Sequence, residues 1–434
     1  MKISYIKKQI KVLINKGIFY ILAGNIINKF TVFFGSIVLV RLLDKKTYGE
    51  LTYIENLYGY IYILAGLGLA NAVIRYIILA KEREKQAGIY SFLIKKGTFY
   101  NILLLVSFTF VLLIYHHPKE FESVKYLCII YILILPFQFL IDVNLWTERA
   151  FFQNKRYMLY SCLLSIIAVL GKVLGSFKGD LITIILLFLS VYIVVAVLIL
   201  ICTKNKYFNR IKIENPNKKT KKEIKIFSFQ YMLTNSLWSI FMLNDIFFLG
   251  RILKNPEIVA DYKVAYVLPG TLALLSLSIG VFVTPYFIKH EDDKKWIRKN
   301  YWYTLFATVG VMGIATVLIS IFARPIIVLI YGKDYLSIIP IMKKLLIVVF
   351  INNGFRYTTA NLLSAVGKIK GNMITAVLGL ILQILLNFIL IPIYGSSGAA
   401  YSNIIVYSLM AIILFFILNK EYSLIISLKF GDRL

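Results

Sequence analysis

The chain has 434 residues, 59% of them hydrophobic and only 16% charged, with a mean hydropathy of +0.77, a makeup that excludes an ordinary soluble domain. Lys and Arg outnumber Asp and Glu by 49 to 21, but the basic residues lie between apolar stretches rather than in one patch, which excludes a nucleic-acid partner and points to cytoplasmic loops of a membrane protein. The stretches are continuously apolar rather than alternating, so helices are expected and a membrane barrel is excluded.

In chain order, spans are expected near residues 17–40, 50–73, 92–115, 124–146, 157–177, 181–203, 226–250, 260–288, 300–323, 340–366, 373–393 and 398–419. Lys2, Lys7, Lys8, Lys11 and Lys16 precede the first apolar stretch and no small-residue cleavage site follows it, so it is expected to be a retained span. That span carries Asn25, Asn28 and Lys29. Asn25, Lys29, Val32 and Ser36 share a helical face, expected to point into the protein, with Lys29 about 18 Å deep.

In the second span Thr52, Glu55, Gly59, Tyr62 and Gly66 share a face, and Glu55 falls about 11 Å from the outer edge, at a depth similar to Lys29. Two readings stay open: a basic site for substrate phosphate whose charge a titratable carboxylate regulates, or an ion pair that locks two helices. Gly66 and Gly68 here, Pro136 in the fourth span, and Pro269, Gly270, Gly280 and Pro285 in the eighth are helix-breaking residues, common where transporters flex.

Ionisable residues inside spans cost several kcal/mol on insertion scales and each asks for a reason. Asp142 in the fourth span and Arg356 in the tenth are 214 positions apart at repeat-related places. They fit pairing near the cytoplasmic boundary. Lys172 lies close enough to the outer edge to snorkel and is given no function. Asn235, Gln383 and Asn387 fit interhelical hydrogen bonds, and Asn244, Asp245, Arg251, Asp261 and Lys263 fit interfacial solvation or an outer gate. Cys128, Cys162 and Cys202 have no metal-ligand spacing, and His116, His117 and His290 fall in loops.

With the N-terminus placed in the cytoplasm, inside loops hold 33 Lys and Arg and outside loops 13, which puts both termini in the cytoplasm. The longest polar break, "KNKYFNRIKIENPNKKTKKEIK", divides the chain into 1–203, a basic cytoplasmic linker 204–225, and 226–434. Six crossings return the chain to its starting side, so any repeat is parallel, about the membrane normal. Traces of it pair "VRLLDKKTYGELTY" with "LGRILKNPEIVADYKVAY", placing Arg41 against Arg251, and "LLIY" ending at Tyr115 with "VLIY" ending at Tyr331. No nucleotide-binding loop, nucleophile elbow, zinc motif or paired-carboxylate signature is present, so neither an enzyme nor a cofactor is expected.

The segments "VRLLDKKTYGELTYIENLYGYIYILAGLGLANAVIRYI", "ARPIIVLIYGKDY" and "NLLSAVGKIKGNMITAVLGLILQILLNFILIPIYGSSGAAYSNII" resemble the polysaccharide branch of the multidrug, oligosaccharidyl-lipid and polysaccharide exporter superfamily, particularly the O-antigen and capsule repeat-unit flippases. The resemblance runs through the whole chain. It implies an all-α, MATE-like fold of twelve transmembrane helices, as two six-helix bundles in a parallel pseudo-two-fold around a central cavity.

The cargo it implies is an undecaprenyl-pyrophosphate oligosaccharide, carried across a bacterial cytoplasmic membrane by alternating access and driven by a proton or sodium gradient. It further implies Lys29 as the pyrophosphate residue, with Arg41, Arg75, Asn25 and Arg356 as further substrate-binding candidates, and Glu55 then Asp142 for ion coupling. Implied partners are membrane lipid, a polysaccharide polymerase and other assembly proteins. Two rivals remain. A multidrug extruder of the same fold needs an acidic cavity, and a polymerase or glycosyltransferase needs a larger extracytoplasmic or catalytic loop than this chain offers.

Overall fold

A computed structural model describes residues 18–114 and 119–424. The N-terminal lysines, Tyr115, His116, His117 and the basic residues Lys429 and Arg433 lie outside the described residues. Among the described residues every regular element is helical. Eleven stretches of the described residues are long and apolar enough to cross a membrane. They cluster into two compact units, Met1–Ser239 and Ile240–Leu434.

The first unit holds α1 (Ile18–Leu42), α2 (Lys45–Ile63), α3 (Leu69–Leu79), α4 (Arg83–Ile114), α5 (Glu122–Tyr131), α6 (Ile134–Ala150), α7 (Asn154–Ser176) and α8 (Leu181–Tyr207). The border between units falls inside α9 (Lys218–Leu253). The second unit continues with α10 (Pro256–Thr271), α11 (Ala273–Lys289), α12 (Lys294–Ile321), α13 (Ala323–Tyr331), α14 (Ile339–Phe350), α15 (Tyr357–Ala365), α16 (Ile369–Tyr394) and α17 (Ser396–Tyr422). Helix starts follow ordinary capping chemistry. Asp44 accepts from the Thr47 N–H at 3.2 Å ahead of α2, and Asn255 accepts from the Glu257 N–H at 2.8 Å with Pro256 opening α10.

Four expected spans are interrupted, each for a legible reason. The second, expected at 50–73, runs over Lys45–Leu79 and turns left-handed in the middle, with φ +52° at Gly66, +50° at Leu67 and +76° at Gly68. The freed Gly66 N–H donates to Asn101 Oδ1 of α4 at 2.7 Å, which satisfies a buried donor away from water. The fourth breaks at Ile132–Leu133, just before Pro136, whose missing N–H suits the first turn of α6. The eighth breaks at Leu272, three residues after Pro269.

The tenth is absent from the eleven membrane-length stretches because it is assembled from α14, a π-turn over Ile351–Arg356 and α15. In that turn the Tyr357 N–H donates to the Asn352 carbonyl, five residues back.

A left-handed backbone with no room for a side chain gives a direct prediction. A Cβ on Gly68 would overlap the Ser228 carbonyl oxygen of α9, so Gly68→Ala incurs about 1–2 kcal/mol for the backbone and a displaced helix besides. Gly179 has φ +75° with nothing within 4 Å of its Cβ position and incurs only the backbone part. Thermal unfolding of the two purified variants should show the larger loss for Gly68→Ala; equal losses would remove the contact with α9 from the account.

Small residues set how α1 sits. Gly24 meets Met158, Gly35 meets Val169, and Asn28 Nδ2 donates to Ser161 Oγ at 2.8 Å, so the stripe 24, 28, 35 packs against α7. The face of Asn25, Lys29 and Val32, expected to pack inward, lies about 100° further round and is exposed.

Candidate functional site

In the first unit a stripe of polar side chains joins α2 and α6. On α2, Glu55, Tyr58 and Tyr62 recur at helical spacing and share a face. On α6, Gln138 and Asp142 stand one turn apart. The Tyr58 hydroxyl donates to Gln138 Oε1 at 2.6 Å and the Tyr62 hydroxyl to Asp142 Oδ2 at 2.7 Å, two rungs that hold the helices in register. Tyr131 of α5 packs edge-on to Tyr58 with centroids 5.2 Å apart and stacks on Phe188 of α8 at 5.7 Å, which in turn meets Tyr192 at 4.8 Å.

Glu55 and Asp142, the two carboxylates expected to couple an ion, are therefore brought onto one continuous surface. The partner of Glu55 is not the expected one. Lys172 of α7 bonds Glu55 Oε1 at 2.5 Å, with its Nζ 4.1 Å from the centre of the Phe188 ring. Lys172 is 16% exposed and Glu55 33%. The sequence reading let Lys172 snorkel to the surface and set Glu55 beside Lys29 on the next helix along; no described contact joins those two. The reason is lateral order: α1 packs on α7, not chiefly on α2.

Lys29 and Asn25 are exposed on α1, and among the described residues Lys29 makes no ion pair. Arg41 is exposed in the last turn of α1, where the helix dipole favours a cation. Arg75 of α3 is exposed and lies 5.5 Å over the Phe227 ring of α9. Arg356 is half-buried at the end of the π-turn, where its Nε donates to Asn352 Oδ1 at 2.5 Å and its guanidinium lies 5.8 Å over Tyr407.

In the second unit the dominant feature is Asp245 of α9, which the sequence reading left to interfacial solvation. Its carboxylate accepts from the Tyr262 hydroxyl at 2.6 Å, Asn403 Nδ2 at 2.5 Å, Gln383 Nε2 at 3.3 Å and Asn387 Nδ2 at 3.4 Å. Asn244 extends the network by donating to Gln383 Oε1 at 2.9 Å. Four neutral donors from three elements, α10, α16 and α17, thus converge on one carboxylate. The available signal was the spacing of Gln383 and Asn387, one turn apart in an otherwise apolar helix. A separate chamber between α11, α12 and α15, lined by Ser276, Thr304, Thr308, Tyr357 and Asn361, contains none of the expected residues.

Among the described residues no cluster of His, Cys, Asp or Glu has the composition of a metal site. Cations are held by aromatic rings and single carboxylates.

Solved structures share this arrangement of an all-helical membrane chain with interrupted spans. The chain is similar to the lipid II flippase MurJ in an inward closed conformation, at 18% identity over 96% of this chain and 94% of that one, with a TM-score of 0.73. It is similar to an inward-facing multidrug resistance MATE family transporter of the MOP superfamily, at 16% identity over 93% and 96%, with a TM-score of 0.69. The MATE multidrug transporter DinF-BH gives 14% identity over 96% of each chain, with a TM-score of 0.63. These structures show the fold of the chain, an all-helical, MATE-like arrangement.

The family model for polysaccharide biosynthesis proteins matches residues 14–291, more than half of the chain, and the chain belongs to that family. No curated protein sequence matches it.

Proposed function

We propose that this protein is a flippase for undecaprenyl-pyrophosphate-linked oligosaccharide repeat units, of the kind used to build O-antigen or capsule, in a bacterial cytoplasmic membrane with both termini in the cytoplasm. The observation that carries the reading is Lys29: a cation in the middle of the first span, exposed, and with no ion pair among the described residues. A charge so placed is costly unless it meets an anion in use. Family membership supplies the glycan context.

In this reading Lys29 takes the pyrophosphate, with Asn25 beside it and Arg41, Arg75 and Arg356 as further basic contacts. The carrier alternates access between two six-helix bundles joined by the 204–225 linker, and hands its cargo to a polymerase. A proton or sodium gradient drives it, with Glu55 and Asp142 as the carboxylates that respond. Single-sided exposure shields the headgroup while the polyprenyl tail stays in lipid.

Deletion of the gene, followed by analysis of lipid-linked intermediates, tests the reading: repeat units should accumulate on the inner leaflet. A deletion strain with normal intermediates and normal surface glycan would sink it. The half-buried carboxylate Asp245 favours a second reading, extrusion of a cationic compound, which predicts instead that the deletion strain becomes sensitive to cationic dyes while its lipid intermediates stay unchanged.

A further inference from the structure

We propose that the Lys172–Glu55 pair is an anion-exchange site, in which a phosphate of the lipid-linked cargo takes the place of Glu55 on Lys172; this rests on the flippase reading above and assigns it a second cationic contact. The ammonium of Lys172 has three donors and one described hydrogen bond, to Glu55 Oε1 at 2.5 Å. On its other side the Phe188 ring, 4.1 Å away, supports the positive charge independently of any carboxylate. The ring contact to Lys172 does not depend on Glu55 being in place.

Glu55 is the more open member of the pair. Lys172 is 16% exposed whereas Glu55 is 33% exposed, so an incoming anion meets the carboxylate first and reaches the amine by displacing it. Opening a fully sealed pair would strand an uncompensated buried charge, whereas a partly exposed pair opens at less cost.

No second cation competes for Glu55 among the described residues. Besides Lys172, the titratable groups that interact with it are Tyr131 on α5 and Tyr192 on α8, neither of which can carry a positive charge. A phosphate brings several charged oxygens against the two of a carboxylate, so it exchanges favourably when it arrives and Glu55 returns when it departs. Glu55 is thus a built-in competitor that keeps Lys172 charge-balanced while the carrier is empty.

The competitor role has a signature that a structural role lacks: removing Glu55 should improve binding. The test uses the purified full chain in phosphatidylcholine nanodiscs, with undecaprenyl diphosphate, undecaprenol and phosphatidylglycerol as probes read by native mass spectrometry. Wild type is expected to prefer the diphosphate to the alcohol. Glu55→Gln should bind the diphosphate about tenfold tighter and Lys172→Gln about tenfold weaker or worse, with Lys172→Arg retaining binding. Unchanged or weaker binding by Glu55→Gln overturns the proposal, as does wild-type binding by Lys172→Gln. Equal tightening for phosphatidylglycerol reassigns the pair to bulk lipid and overturns it too. If Lys172→Gln does not fold, Glu55→Gln and Lys172→Arg still decide. A wild type with no preference for the diphosphate would fail the flippase reading itself, a result distinct from all of these.

Discussion

Replacing Lys29 with alanine should abolish movement of the lipid-linked repeat unit while leaving the amount of protein in the membrane unchanged. The second half of that expectation follows from the exposure of Lys29: truncating an exposed side chain leaves no cavity and strands no partner, so stability should move by no more than about 0.5 kcal/mol. The first half follows from depth. A phosphate brought to mid-membrane loses its water, and each charge-assisted hydrogen bond it gains there is worth about 1.5–3 kcal/mol. Lys29→Arg keeps the charge but changes the donor geometry and should retain partial transport. Surface glycan, lipid-linked intermediates and an immunoblot read all three outcomes. Normal glycan in the Lys29→Ala strain would remove this residue from the site.

Asp245→Ala should be the most damaging single truncation in the second unit. Tyr262, Asn403, Gln383 and Asn387 all aim donors at this carboxylate, and Asn387 and Asn403 are themselves buried. Removing the acceptor strands several of those donors away from water at about 1–3 kcal/mol each, for a loss of roughly 3 kcal/mol or more. Asp245→Asn preserves the shape but turns an amide toward other amides and should fall between. Asp180→Ala is the contrast, since Asp180 is exposed and receives one bond, from Thr183 at 3.0 Å. Thermal unfolding in detergent measures the set. An Asp245→Ala protein melting alongside wild type would mean that the network relaxes or admits water.

How much of this was legible in the sequence differs between chemistry along a helix and chemistry across helices. Apolar windows locate spans because insertion into lipid depends on composition alone. The interruptions at Gly66–Gly68, Pro136 and Pro269 were visible too, because glycine and proline act on their own backbone. Partners were not. The choice of Lys172 over Lys29 by Glu55 depends on which helix lies beside which and how each is rotated, and that is decided by contacts such as Gly24 on Met158 and Gly35 on Val169. Asp245 was hidden for the same reason. Its donors come from α10, α16 and α17, more than 130 positions away in two of the three cases, so no local pattern announces them.

The loosened turn at Ile351–Arg356 has a geometric consequence for everything that follows it. Accommodating one extra residue advances the downstream helix by about 100° relative to uninterrupted winding. Only in that advanced rotation does Tyr357 lie against Gly280 and Asn361 reach Thr284 at 3.0 Å, while Thr359 meets Tyr301 at 3.0 Å on another side. The widened ring thus works like a spacer on a threaded shaft. Taking one residue out of it would leave α15 intact as a helix yet swing each of those side chains away from its mate, so the identity of the residues beyond the turn has meaning only with the surplus residue kept in place.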